Sequence, residues 1–205
     1  MRQKKLAKKV LLLLSGGIDS PVVGYILQKK GFHVEALHFS NEFAGKKAIE
    51  KSIKIARQLG IKINIIDVSD ILKEMTKKCD RRYYFVLMKR MMYMIAEEIA
   101  KKKNISFIAT GENLGQVSSQ TLQNLFVINK VASIPVLRPL IAYDKMEIVN
   151  LAEKFKTFEI SKGPEMCAVL GPKHPVTQAR ESDVIGMEKK ININKLIKEK
   201  IKYIK

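Results

Sequence analysis

Five short apolar runs constrain this chain more than any other feature. They occupy residues 10–14, 33–39, 62–68, 105–110 and 134–140. Each has the length of a strand and is too short for a surface helix. Between and after them lie segments that read as helices, at residues 20–30, 46–59, 83–103 and 144–155. Parallel strands need crossovers of about a dozen residues or more, because the chain must return to the same end of the sheet. The alternation therefore predicts an α/β fold, a parallel sheet with helices on both faces. Gly31 and Gly60 sit where the first two helices should stop, and Asp144 with Glu147 predicts a capping box.

The first run does not end in an ordinary turn. "VLLLLSGGIDSPV" passes from a strand through two glycines to an acid and a serine at the start of a helix. A strand that enters a helix through such a turn makes an anion site. Backbone N–H groups converge there, and the helix N-terminus adds partial positive charge. Gly16 and Gly17 keep side chains out of the way, and the hydroxyls of Ser15 and Ser20 can donate. The loop lacks the lysine of a Walker A motif and the spacing of GxGxxG. Asp19 is out of place beside a phosphate unless it holds a magnesium ion that bridges phosphate oxygens.

Composition bounds the rest. The chain has 205 residues, 46% hydrophobic and 28% charged, which suits a globular domain with a sizeable core. Lysine and arginine number 38 against 20 acids, a net charge of +18 that attracts polyanions, nucleic acids first. A lysine-rich proteome would give the same balance with no such partner. No apolar run approaches the roughly 18 residues of a membrane span. The run at 10–14 is shorter than the roughly 7–15 residues of a signal core. Cys79 and Cys167 form no disulfide framework, so a reducing cytoplasm is expected.

At "SGGIDS" the sequence resembles the PP-loop ATP pyrophosphatases, whose fold is adenine nucleotide alpha hydrolase-like. They cleave ATP between the α- and β-phosphates and activate an acceptor oxygen as an adenylate. Further stretches narrow the resemblance: "LHF" (37–39), "VLMKRMM" (86–92), "TGENLGQVSSQTLQNL" (110–125), "RPLIAYDKMEIVNLA" (138–152) and "PEMCAVLGPKHPVTQA" (164–179). Together they look like the catalytic domain of the tRNA 4-thiouridine synthetases, the ThiI family of tRNA sulfurtransferases, over residues 8–180. The resemblance implies ATP and Mg2+ as cofactors and tRNA as the partner. It implies that Leu13 and Leu14 line the nucleotide and that His38 and Phe39 flank the adenine. Lys89, Gly111 and Gln120 match nucleotide-binding positions, Asp19 matches the acid of the loop, and Cys167 matches the sulfur-transfer cysteine.

Read without the resemblance, several of these residues have plainer roles. His38 suits a satisfied core histidine, and Met88, Met91, Met92 and Met94 have the helical spacing of a core stripe. Lys89 and Arg90, two cations among apolar residues, either reach a phosphate or face solvent. Gly111, just past a strand, lets a nucleotide lie against backbone. Cys167 is an inert small residue unless Lys173 and His174 fold back to favour its thiolate. Cys79 matches no family cysteine.

The expected organisation is a thiolation domain at residues 1–181 followed by a basic helical extension at 182–205, in which Ile191, Ile193, Leu196, Ile197 and Ile201 suggest one helix. No THUMP or rhodanese domain is read in the chain. Sulfur would then come from an external persulfide or sulfide donor. RNA would be gripped by the basic surface or by a separate THUMP-type protein, and the reading leaves room for a homodimer. Two rival readings share the loop: adenylation of another acceptor, and a nucleotide-binding partner without turnover.

Overall fold

β1 (Lys9–Leu13) lies at the centre of a five-stranded sheet in the order β3-β2-β1-β4-β5, with every neighbouring pair parallel. The computed structural model describes residues 8–115, 117, 119–162 and 170–202. β2 is His33–Ser40 and β3 Ile63–Asp67, while β4 (Phe107–Ala109) and β5 (Val136–Leu137) are shorter than their apolar runs. Two prolines account for the shortness of β5. Pro135 and Pro139 bracket it and offer no N–H to a ladder, although the carbonyl of Pro135 still accepts from Ile108.

The sheet buries different side chains on its two faces because strand side chains alternate. Val10, Leu12 and Leu14 pack with Val22, Val23 and Leu27 of α1 (Asp19–Lys29) and with Ile55, Ala56 and Leu59 of α2 (Gly45–Leu59). Leu11, Leu37 and Ile108 pack the other way, against Leu87, Met91, Ile95 and Ile99 of α4 (Tyr84–Lys102). The methionine stripe is therefore core at Met88 and Met91.

Two helices of more than a single turn escape the sequence pattern. α3 (Ser69–Lys78) buries Ile71, Leu72 and Met75 but is otherwise polar. α5 (Leu122–Asn129) starts at Thr121, whose side chain accepts from the Asn124 N–H at 3.1 Å. α6 (Lys145–Lys154) carries the expected capping box and is followed by the single turn α7 (Phe158–Ser161). The single C-terminal helix is corrected to two, α8 (Glu181–Lys190) and α9 (Ile193–Ile201), broken at Asn192 in the left-handed region. Their Val184, Met187, Ile193, Ile197 and Ile201 join the core under α4.

Candidate functional site

The strand order places a crevice before any side chain is considered. β1 connects outward to β2 on one side, and its other neighbour, β4, comes later in the chain. Crossovers diverge at such a point, so a gap opens beyond the carboxyl ends of β1 and β4. The loop at residues 14–18 fills one side of it, and residues 110–113 fill the other.

The loop is held by its own serines. The Ser15 N–H donates to Ser20 Oγ at 3.1 Å, the Gly17 N–H donates to Ser15 Oγ at 3.1 Å, and the two hydroxyls are 3.2 Å apart. One hydroxyl proton serves the pair, so one remains for a ligand. Gly16 turns the chain at φ +83, a conformation that favours glycine. No side chain caps α1, since Ile18 holds the cap position. Pro21 in the first turn removes one amide that would have lacked a partner in any case. An eleven-residue helix with no side-chain cap at the switch point presents the positive end of its dipole to the crevice.

The predicted residues fall into distinct roles. His38 is 2% exposed, and its Nδ1 lies 2.8 Å from the carbonyl oxygen of Leu14. Burial lowers its pKa, and the bond to Leu14 opposes this only in part, so the ring is neutral and Nδ1–H donates. That leaves Nε2 a buried acceptor without a partner. His38 thus fixes the point where β1 gives way to the loop, while Leu14 and Phe39 are buried on opposite faces of the sheet and Leu13 is partly buried. Asp19 opens α1 with its Cβ against Gly111.

Gly111 has a steric role that the sequence did not announce. A Cβ there would lie 2.9 Å from Asp19 Cβ and 2.9 Å from the Ser20 nitrogen. The space is taken by the first turn of α1, so Gly111 seats one wall of the crevice on the other. Gln120 is a clasp: its Oε1 accepts from the Asn113 N–H at 2.7 Å, and its carbonyl accepts from Gly115 at 3.2 Å.

Lys89 and Arg90 part company. The expectation that Arg90 reaches a phosphate is corrected, because its side chain is 4% exposed and grips Glu188 through Nε at 2.7 Å and Nη2 at 2.9 Å. Its Nη1 donates to the Val127 carbonyl at 2.6 Å. A residue one position along a helix points about 100° away, and that rotation carries Arg90 into the core. Lys89 instead meets Glu112 at 2.9 Å, beside the crevice.

Sequence reasoning missed Glu112, Arg138, Tyr93 and Lys51. Burial pushes the Glu112 carboxyl up, but Lys89, Arg138 and the Tyr93 hydroxyl outweigh it and hold the pKa at about 2. Burial, and then the Glu112 charge, push the Tyr93 hydroxyl well above its ordinary value, so it donates. A depressed carboxylate contributes stability above its unfolded pKa, about 4.3, and loses it as pH falls towards about 2. Urea midpoints are expected to drop between about pH 4.5 and 2, and Glu112→Gln should flatten that dependence. Lys51 lays its stem against Gly16, 3.8 Å from where a Cβ would sit, and donates to the Lys162 carbonyl at 3.2 Å. No spacing signals a lysine of α2 meeting residues so distant in the chain.

Cys167 lies outside the described residues. The chain enters that stretch at Lys162, held by Lys51, and leaves it at Leu170, whose carbonyl accepts from Arg81 at 3.2 Å. Lys173 and His174 are exposed. The half-buried thiol of Cys79 donates to the Met187 carbonyl, and burial pushes its pKa up. Among the described residues, no three His, Cys, Asp or Glu side chains cluster to hold a metal, and no helix is long and apolar enough to cross a membrane.

Residues 6–193 match the family model described as thiamine biosynthesis protein (ThiI). A probable tRNA sulfurtransferase of Coxiella burnetii is 44% identical over 198 residues, covering 92% of this chain and 50% of the relative. A crystal structure of a 4-thiouridine synthetase–RNA complex with bound ATP superposes with a TM-score of 0.91 at 36% identity, over 96% of this chain and 54% of that one. The NMN synthetase of Francisella tularensis superposes at 0.63 with 14% identity, over 94% of this chain and 87% of that one, a likeness of fold. The chain spans about half the length of the curated relatives it matches.

Proposed function

The chain belongs to the ThiI family, and on that premise we propose that it adenylates a tRNA uridine with ATP and replaces the 4-oxygen with sulfur. The observation that carries this reading is the uncapped N-terminus of α1 at the switch point, framed by the loop at 14–18 and by Gly111. The similar 4-thiouridine synthetase holds RNA and ATP, and the net charge of +18 suits an RNA partner.

The chemistry follows from leaving groups. The uridine oxygen is a poor one, and bonding it to the α-phosphorus releases pyrophosphate and makes AMP the next departure. The loop amides, the remaining serine hydroxyl and Lys89 would stabilise charge on the pyrophosphate. Leu13, Leu14, His38 and Phe39 would seat the adenosine, with Gly111 and Gln120 shaping the opposite wall. Asp19, at the start of α1 beside the loop, would be the residue that holds Mg2+, a hard cation suited to a carboxylate oxygen. When bound, that ion neutralises phosphate charge.

Sulfur would come from an external donor. Sulfide attacking C4 expels AMP with the former 4-oxygen and needs no redox step. A persulfide carried on Cys167 attacks through its outer sulfur, and a second thiol must then cleave the resulting disulfide. The test mixes the chain with tRNA, ATP, Mg2+ and sulfide, with a THUMP-type RNA-binding protein supplied in trans. Expected products are AMP, pyrophosphate and 4-thiouridine in the tRNA. Accumulation of ADP would overturn the reading, and AMP formation indifferent to tRNA would point to another acceptor.

A further inference from the structure

Four side chains converge on one buried carboxylate beside the crevice. Glu112 Oε1 accepts from Lys89 Nζ at 2.9 Å. Its Oε2 accepts from the Tyr93 hydroxyl at 2.5 Å, Arg138 Nε at 2.8 Å and Thr110 Oγ1 at 3.2 Å. Two cations share this single acid, so the cluster keeps one net positive charge. Buried ion pairs add little net stability compared with apolar packing, and stability alone does not account for the arrangement.

The two cations are not equivalent. Arg138 has three of its four other N–H groups engaged, Nη2 with the Tyr93 oxygen and Asn129 Oδ1, each at 3.1 Å, and Nη1 with the Val136 carbonyl at 3.5 Å. Lys89 has Glu112 as its one partner among the described residues, and its side chain keeps 17% exposure. An ammonium has three donors, so two of them lack a protein acceptor among the described residues. The residue before Glu112 is Gly111, which is pressed against the first turn of α1. The carboxylate is therefore tied to the same wall as the anion-binding helix.

We propose that Glu112 is a positioning residue for nucleotide binding: it fixes Lys89 by one N–H so that the other two meet the phosphate chain of ATP at the N-terminus of α1. Tyr93, Thr110 and Arg138 hold the second carboxylate oxygen and so set its plane. A lysine ordered before the ligand arrives loses less side-chain freedom on binding, which is the general advantage of preorganisation. The surplus positive charge of the cluster then has an anion to meet.

This inference rests on the ATP reading above, and a double-mutant cycle separates the two. ATP affinity is measured by calorimetry on the full chain as wild type, Lys89→Met, Glu112→Gln and the double variant, with circular dichroism showing that each is folded. Each single change is expected to weaken ATP about tenfold, and the double change also about tenfold, because Glu112 acts through Lys89. A double variant weakened about a hundredfold would show independent action and overturn the proposal. If Glu112→Gln does not fold, Tyr93→Phe removes one brace of the same carboxylate. Its loss of about threefold should vanish in the Lys89→Met background, and persistence of that loss there would overturn the proposal. Unchanged affinity in Lys89→Met alongside a loss in Asp19→Ala would overturn the role of Glu112 and leave the function standing. A wild-type chain that binds no ATP would overturn both.

Discussion

Replacing Gly111 by alanine is expected to weaken ATP binding by about a hundredfold, on the scale set by misplacing a binding wall by an ångström or less. The added methyl would lie 2.9 Å from Asp19 Cβ, 2.9 Å from the Ser20 nitrogen and 3.1 Å from the Asp19 carbonyl carbon. Two of these atoms are backbone and the third is fixed to it, so no rotamer change relieves the contact. The backbone of Gly111 needs no left-handed conformation, since it is absent from the positive-φ glycines. The effect is therefore steric. Either α1 or residues 110–113 must retreat, and the amides at the helix terminus move relative to Lys89 and Glu112. The accompanying loss of stability should be about 1–3 kcal/mol, the usual range for overpacking. Calorimetry with a non-hydrolysable ATP analogue and urea unfolding on the same sample separate the two. Unchanged affinity would show that the two walls do not act as one site.

Arg90→Ala is expected to lower unfolding free energy by about 3–5 kcal/mol, because it strands a buried carboxylate. Glu188 is 9% exposed at its side chain and loses both guanidinium bonds. The Val127 carbonyl loses a donor as well. The pair joins α4 to α8, so the loss should loosen the C-terminal helices first, and hydrogen exchange in α8 and α9 should rise. Replacing both partners, as in Arg90→Met with Glu188→Leu, should recover most of the stability, since a matched apolar pair costs little where a lone charge costs much. ATP affinity of the folded protein should stay at the wild-type value in both variants. A tenfold loss of affinity in the double variant would instead restore Arg90 to the phosphate site.

The same pair shows where local sequence stops being informative. "KR" within a run of methionines announces two cations on a helix, and nothing nearby says that one turns to Glu188, far along the chain, while the other turns to Glu112. Gly111 was readable as a close-approach glycine, but what approaches it is α1 of the same chain. Gln120 was readable as a site residue, and its contact with Asn113 shows it closing the loop that follows β4. α3 was missed because its apolar positions are few and their neighbours polar, and α5 because four of its apolar residues, 125–128, run together rather than recur at a helical spacing.

By itself the sequence determined the parallel α/β architecture and the glycine turn that joins β1 to α1. Strand runs, crossover lengths and glycine positions are local properties of the backbone, and they act before any distant contact forms. Only the tertiary structure decided how charge is distributed around the crevice. Which cation meets which acid depends on side chains brought together from β4, β5 and α4 by the strand order, and a buried charge takes whichever partner that packing places within reach.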